Sequence, residues 1–135
     1  MPRLSVLALS ARLPAWAEAA CAQYAKRMPK GYEVARIAVK DAKRLRAAVP
    51  RGARLVALDE RGRDCTTRQF AGLLESETAF LIGGAEGLDD SIKQEAALLL
   101  RLSAMTLPHA LAQVLLLEQL YRAATLLTGH PYHRE

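Results

Sequence analysis

Phe80-Leu81-Ile82-Gly83-Gly84-Ala85-Glu86-Gly87 is an apolar run that ends abruptly on a pair of glycines. Apolar residues with no polar alternation fit a strand covered on both faces, the kind found in parallel sheets sandwiched by helices. Glycines directly after such a strand turn the chain sharply and leave the backbone bare to anything that approaches it. In open α/β sheets that is the end at which ligands bind. Two later segments share this character. Leu102-Ser103-Ala104-Met105-Thr106-Leu107-Pro108-His109 reads as another strand, stopped by proline. Gly129-His130-Pro131-Tyr132-His133-Arg134-Glu135 is polar and aromatic, with no need of burial.

Outward from these segments, strands and helices alternate. Arg3–Leu9 is a continuous apolar run, hence a buried strand. Pro14 opens a helix to about Arg27, ended by Met28-Pro29-Lys30-Gly31. Tyr32–Val39 alternates as a strand, Asp41–Val49 makes a short basic helix, and Arg54–Leu58 is the third strand. Thr66-Thr67-Arg68-Gln69 has the form of a capping box for a helix to about Glu75. Phe80–Ile82 is the fourth strand, Asp89 or Asp90 caps a helix through about Leu99, and Leu102–Leu107 is the fifth strand. A long last helix runs from about Ala110 to Thr128, with Gly129 as its stop and Pro131 beyond. Five such units predict an α/β fold with a mostly parallel sheet of five or six strands and helices on both faces. No repeat, linker or low-complexity tract divides the 135 residues, so one domain is expected.

The net charge of +5 conceals an asymmetry. Residues 1–54 hold 12 Lys/Arg against 3 Asp/Glu, while residues 55–135 hold 7 against 11. Most surface charges are merely solvated. A basic excess gathered in one half is nevertheless the footprint expected for a polyanion, and Lys43, Arg44 and Arg46 are the cations expected to meet nucleic-acid phosphates. Cys21 and Cys65 make no disulfide framework, and no secretory leader is visible at the start. Free thiols in a reducing, cytoplasmic compartment are expected.

Between Leu111 and Leu127 the last helix is apolar almost all round. It does not fit a membrane span, because Glu118 and Arg122 lie at its centre. A helix apolar on all sides must be covered on all sides, and a sheet covers one. A second copy of the chain is the expected cover, giving a homodimer.

Gly83-Gly84-x-x-Gly87 is not a P-loop, since no Lys-Ser/Thr pair follows, and its glycines are not spaced as in the dinucleotide fingerprint. Alone it is as readily an ordinary tight turn. His130 and His133 have a spacing compatible with metal, but no third ligand is near, so no metal is expected.

Taken in order, the segments resemble the RlmH (YbeA-like) family of SPOUT methyltransferases. The likeness lies in Leu58-Asp59-Glu60-Arg61-Gly62, Leu81-Ile82-Gly83-Gly84-Ala85-Glu86-Gly87-Leu88, Leu102–His109, Glu118-Gln119-Leu120-Tyr121-Arg122-Ala123 and the tail His130–Glu135. It extends over nearly the whole chain and is densest from Leu55 onward. The resemblance implies an α/β sheet whose C-terminal part is threaded into a trefoil knot, an exception to unknotted topology. It implies a homodimer that binds S-adenosylmethionine and methylates N3 of a pseudouridine in 23S rRNA of the assembled ribosome. Carried over, the cofactor would meet Leu58, Gly83, Gly84 and the backbone of Leu102, Ser103, Ala104, Met105, Thr106 and Leu107. His109, Arg122, Tyr132, His133 and Arg134 would serve the RNA base and the methyl transfer.

These residue types suit that chemistry. A sulfonium is already electrophilic, so the protein has mainly to align it with the nucleophilic nitrogen. Pseudouridine N3 must lose a proton, for which His133 is the first candidate and His109 the second. Arg122 and Arg134 suit developing charge or a phosphate, and Tyr132 suits stacking on the base. Two departures from the family stand out: Ser10 where glycine is usual, and a short segment Lys40–Arg54. The alternatives are a SPOUT enzyme for another RNA, which would need a different tail, and a non-catalytic protein: a nucleotide-binding one would not need His109, His133 and Arg134 together, and an RNA-binding one would not need the glycine turn.

Overall fold

The computed structural model describes residues 4–9, 12–84 and 86–134. Arg3, Ser10, Ala85 and Glu135, which the sequence placed in the first strand, after it, in the glycine turn and in the tail, lie outside them. The elements alternate as β1 (Leu4–Leu9), α1 (Ala15–Arg27), β2 (Val34–Val39), α2 (Ala42–Ala47), β3 (Arg54–Asp64), α3 (Thr67–Gly72), β4 (Thr78–Ile82), α4 (Asp90–Glu95), β5 (Leu98–Arg101) and α5 (His109–Thr128). A single 3₁₀ turn, Leu73–Glu75, extends α3. The five strands are all parallel, in the order β2-β1-β4-β3-β5.

Alternation along the strands sends side chains to two cores. Leu4, Val6, Val56, Phe80 and Ile82 face α1, α3 and α5, while Leu7, Leu55, Ala57, Ala79 and Leu81 face the side where Leu45 of α2 and Ile92 of α4 pack. β4 is buried along its whole length because it has strands on both edges and helices on both faces. The capping box at Thr66 forms as expected: its hydroxyl accepts from Gln69 N–H, and the Gln69 side chain accepts from Thr66 N–H. Asp41 caps α2 through Arg44 N–H. Gly129, with φ 76°, ends α5 in the left-handed region.

Three expectations are corrected. The helix after Asp89 stops at Glu95, and the fifth strand is Leu98–Arg101, not Leu102–Leu107. A short aliphatic run such as Leu98-Leu99-Leu100 fits helix or strand equally by periodicity. The ladder with β3, where Val56 pairs with Leu98 and Leu58 with Leu100, decides it. Leu102–Leu107 is irregular, with Ala104, Met105 and Thr106 exposed, which a buried strand would not allow. The third strand is also longer than Arg54–Leu58. It continues to Asp64 across a bulge between Leu58 and Arg63, where a Cβ on Gly62 would stand 2.6 Å from the Leu99 carbonyl oxygen. Only glycine lets the two backbones come so close.

Candidate functional site

With every strand parallel, their C-terminal ends share one rim. β4 delivers Gly83 and Gly84 to it, β3 delivers Leu58, and β5 delivers the irregular segment Leu102–Leu107. Gly87 N–H donates to Gly84 O at 3.0 Å, closing a tight turn in which Gly87 has φ 79°. A Cβ on Gly83 would lie 2.3 Å from the Gly87 carbonyl carbon, so this glycine is required by the turn itself. A Cβ on Gly84 would meet only the Leu9 carbonyl oxygen, at 3.1 Å.

His109, the first residue of α5, pins this turn. Its Nδ1–H donates to Gly83 O at 2.9 Å, and the Gln113 amide Nε2 donates to its Nε2 at 2.8 Å. Both ring nitrogens are engaged, which fixes the tautomer and makes the imidazole a strut between the glycine turn and α5. Gln113 is buried for this task, and the sequence does not single it out because a lone glutamine inside a helix gives no local signal. Leu102–Leu107 lies outside the strand ladder, so its main-chain groups face outward from the sheet's pairing, and the Ser103 hydroxyl accepts from Met105 N–H at 2.9 Å. Met105 is 78% exposed at its tip.

Arg122, Tyr132 and His133 form a second cluster, on the carboxylate of Glu118. Glu118 Oε2 accepts from Arg122 Nη2 at 2.8 Å, from Arg122 Nε at 3.1 Å and from the Tyr132 hydroxyl at 2.9 Å. Its Oε1 accepts from Gln119 Nε2, and Gln119 in turn accepts from the Thr67 hydroxyl on α3. The Arg122 guanidinium lies 4.9 Å from the Tyr132 ring centre and donates through Nη1 to His133 Nδ1 at 3.3 Å. Tyr132 packs edge-on against Tyr121 at 4.6 Å. Burial first, then hydrogen bonds with Glu118 and Tyr24, pushes its hydroxyl pKa up to about 12. Arg134 is exposed beyond them.

The five candidates for transfer chemistry therefore divide. His109 belongs to the rim, whereas Glu118 lies about 14 Å and Arg122 about 20 Å further along the axis of α5. The tail is also less free than its composition suggests, because Tyr132 packs against the core. Glu118 is the residue that sequence reasoning left unassigned; its one signal was the i, i+4 spacing to Arg122.

Among the described residues, no helix is long and apolar enough to cross a membrane, and no group of three His, Cys, Asp or Glu stands ready for a metal. Cys21 is buried, Cys65 is half-buried, and both are free.

A family model described as predicted SPOUT methyltransferase matches residues 3–133. The chain is 47% identical over 146 residues to a protein of Polynucleobacter asymbioticus named ribosomal RNA large subunit methyltransferase H, covering 98% of this chain and 99% of the relative. A probable methylase family protein from Haemophilus influenzae superposes with a TM-score of 0.65 at 12% identity, covering 99% of this chain and 71% of that one. The methyltransferase AviRb from Streptomyces viridochromogenes, solved in complex with AdoMet, gives 0.53 at 17% identity, covering 88% and 56%. Both superpositions are likenesses of fold.

Proposed function

The chain belongs to the SPOUT methyltransferase family, and from that premise we propose that it methylates N3 of a pseudouridine in 23S rRNA of the assembled ribosome, with S-adenosylmethionine as donor. Membership brings with it the trefoil-knotted threading of the C-terminal part. What carries the proposal is a meeting of two features at one rim: the glycine turn after β4 and the irregular segment after β5. They occur in a chain alike, end to end, to a named rRNA large-subunit methyltransferase.

The residues present fit the donor. Leu58 and Leu102 give an apolar shelf for an adenine, main-chain groups of Leu102–Leu107 offer hydrogen bonds free of the sheet, and Gly84 leaves the rim bare. When bound, S-adenosylmethionine supplies an electrophilic methyl group on a sulfonium. His109 and Gln113 hold the glycine turn in place beside it. His133 would take the N3 proton, at Nδ1 only once Arg122 swings away from it, while the new N–C bond replaces the bond from the methyl carbon to sulfur and leaves a neutral thioether. Arg122, held by Glu118, and Arg134 offset charge on the imide, while Tyr132 offers the base a ring face.

Since one chain keeps the tail about 14–20 Å from the rim, the proposed assembly is a homodimer. Leu111, Leu115 and Leu126 are half-buried on α5 and belong to neither core. A second copy laid antiparallel on that stripe carries its own Tyr132–Arg134 to the rim of the first. The protein would act in the cytoplasm, where ribosomes are, as one domain over 1–135.

The test is methyl transfer from labelled S-adenosylmethionine to ribosomes that lack the modification, with mass mapping of the large-subunit RNA. A label on pseudouridine N3 is the expected result. Cofactor binding by calorimetry together with a label on another RNA, or none, would overturn the substrate assignment.

A further inference from the structure

The basic residues of the N-terminal half do not form one patch. Lys26, Arg27 and Lys30 end α1 on one face of the sheet, whereas Lys43, Arg44 and Arg46 lie on α2, on the other. On the α2 side, two hollows share Arg46, Val49 and Glu95 and so join into one trough. The part between α2 and α4 has a volume of about 520 Å³ and is edged by Lys43. The part beneath it, about 710 Å³, is edged by Arg46, Arg51 and Arg54.

Each of these four cations is exposed. Arg46 is paired with Glu95, but among the described residues Lys43, Arg51 and Arg54 have no carboxylate within salt-bridge distance. Their placement is built into the backbone. Lys43 and Arg46 are one turn apart on α2, Arg51 sits on the turn closed by Ala53 N–H to Pro50 O at 3.1 Å, and Arg54 opens β3. Gly52 takes φ 85° in that turn, a conformation that suits glycine. Isolated surface arginines are ordinarily just solvated. Three of them around one concavity with a single acid, walled by Val49, Pro50 and Leu55, concentrate positive potential instead. Guanidinium groups match phosphate oxygens in geometry as well as charge.

The Arg51–Arg54 part of the trough lies at the end of the sheet away from the reaction, whereas the part edged by Lys43 and Asp89 begins at the rim, because α2 follows the end of β2 and α4 follows the glycine turn after β4. Pro50–Arg54 and Ala97 lie at the start of β3 and just before β5, so the stretch of β3 from Arg54 to Leu58, about 13 Å, separates them from the rim. An anion held here is neither the reacting nucleotide nor the donor. We propose that this far end of the trough is a second foothold for the RNA substrate, in which Arg51 and Arg54 hold phosphodiesters of the rRNA remote from the modified base. The proposal rests on the rRNA methyltransferase assignment above, and it extends the expected docking surface from α2 to the sheet's opposite end.

The test compares wild type with Arg51→Ala/Arg54→Ala, in filter binding to ribosomes and to protein-free large-subunit RNA across a salt series, with methyl transfer measured in parallel. Both partners should bind the variant about tenfold more weakly, with a log–log salt slope shallower by about 1.4–1.8 for two phosphates lost. KM for ribosomes should rise while kcat and S-adenosylmethionine affinity stay unchanged, and Arg51→Lys/Arg54→Lys should recover most of the binding. Unchanged affinity and slope would overturn the foothold. So would a loss seen with ribosomes but not with bare RNA, which would assign the trough to a ribosomal protein, or a loss confined to Lys26→Ala/Arg27→Ala. Failure of wild type to methylate ribosomes would sink the activity instead, while the binding arms would still decide the foothold.

Discussion

Glu118 gathers donors from three side chains, so its charge sets the geometry of groups more reactive than itself. Replacing it with glutamine keeps the shape but substitutes a donor for one of the accepting oxygens. Arg122 and Tyr132 then lose their common anchor, at a cost of about 1–3 kcal/mol if those bonds are not remade. Methyl transfer should fall at least tenfold in Glu118→Gln while calorimetry finds S-adenosylmethionine affinity unaltered; an unaffected rate would show that the cluster is structural only. Tyr132 offers a second check. Its raised pKa favours the neutral phenol in the folded state, so the associated stability is present below pH 10 and is lost as pH climbs toward about 12. Spectrophotometric titration should reveal a late-ionising tyrosine that Tyr132→Phe removes. The two rim glycines should also separate. Gly83→Ala drives a methyl into the Gly87 backbone and should lower thermal stability by about 1–3 kcal/mol, whereas Gly84→Ala needs a shift of only a few tenths of an ångström and should melt almost as wild type.

At the scale of elements, α5 resolves its all-round apolar composition by lying between α1 and α3 over the sheet. Leu116 and Leu120 are fully buried within the chain, so they belong to the core and not to a surface that meets a second copy. Leu116→Ala should cost about 2–5 kcal/mol in chemical denaturation. Leu111→Glu/Leu115→Glu should instead leave the melt near wild type and yield a soluble monomer that binds the donor but transfers no methyl. A dimer of normal mass by light scattering would place the contact elsewhere. Most elements were legible because their signals are local: Pro14 before α1, Thr66 to Gln69 for α3, and the unbroken apolar run of β4. β5 was not, because Leu98-Leu99-Leu100 takes its conformation from β3 across the sheet. The bulge after Leu58 was hidden for the same reason, since Gly62 answers to the distant Leu99 backbone. At the rim, Gly83 and Gly84 stand out by their place after an apolar strand, whereas the resemblance groups His109 with the RNA-facing residues and not with the turn it holds. Their hydrogen bonds, and the hub at Glu118, depend on which helix face meets which turn, and spacing alone does not specify that.

For the molecule as a whole, several ion pairs fasten distant segments, among them Glu18 to Arg36, which joins α1 to β2, and Asp64 to Arg101, which joins β3 to β5. In each case the arginine hydrogen bond holds the carboxyl below its ordinary range. Their contribution is therefore complete above that range and lost as pH falls through the lowered values. The carboxylate of each pair is exposed, so the effect should be modest. Glu18→Gln/Asp64→Asn should show a flatter dependence of melting temperature on pH below about 4 than wild type does. The strand order has a consequence of another kind, in time. Leu4 pairs with Val34 on one edge and with Thr78 on the other, and β3 likewise waits for β4. At about 5–20 residues per second of synthesis, the emerging chain therefore spends several seconds with β1 open along one edge and β3 open along both. Unpaired edges recruit other strands. A nascent chain halted just short of Thr78 should be captured by chaperones or form aggregates more readily than one halted after the fourth strand has emerged. The last strand needed to close the middle of the sheet makes its own birth the moment at which the polypeptide becomes safe from its neighbours.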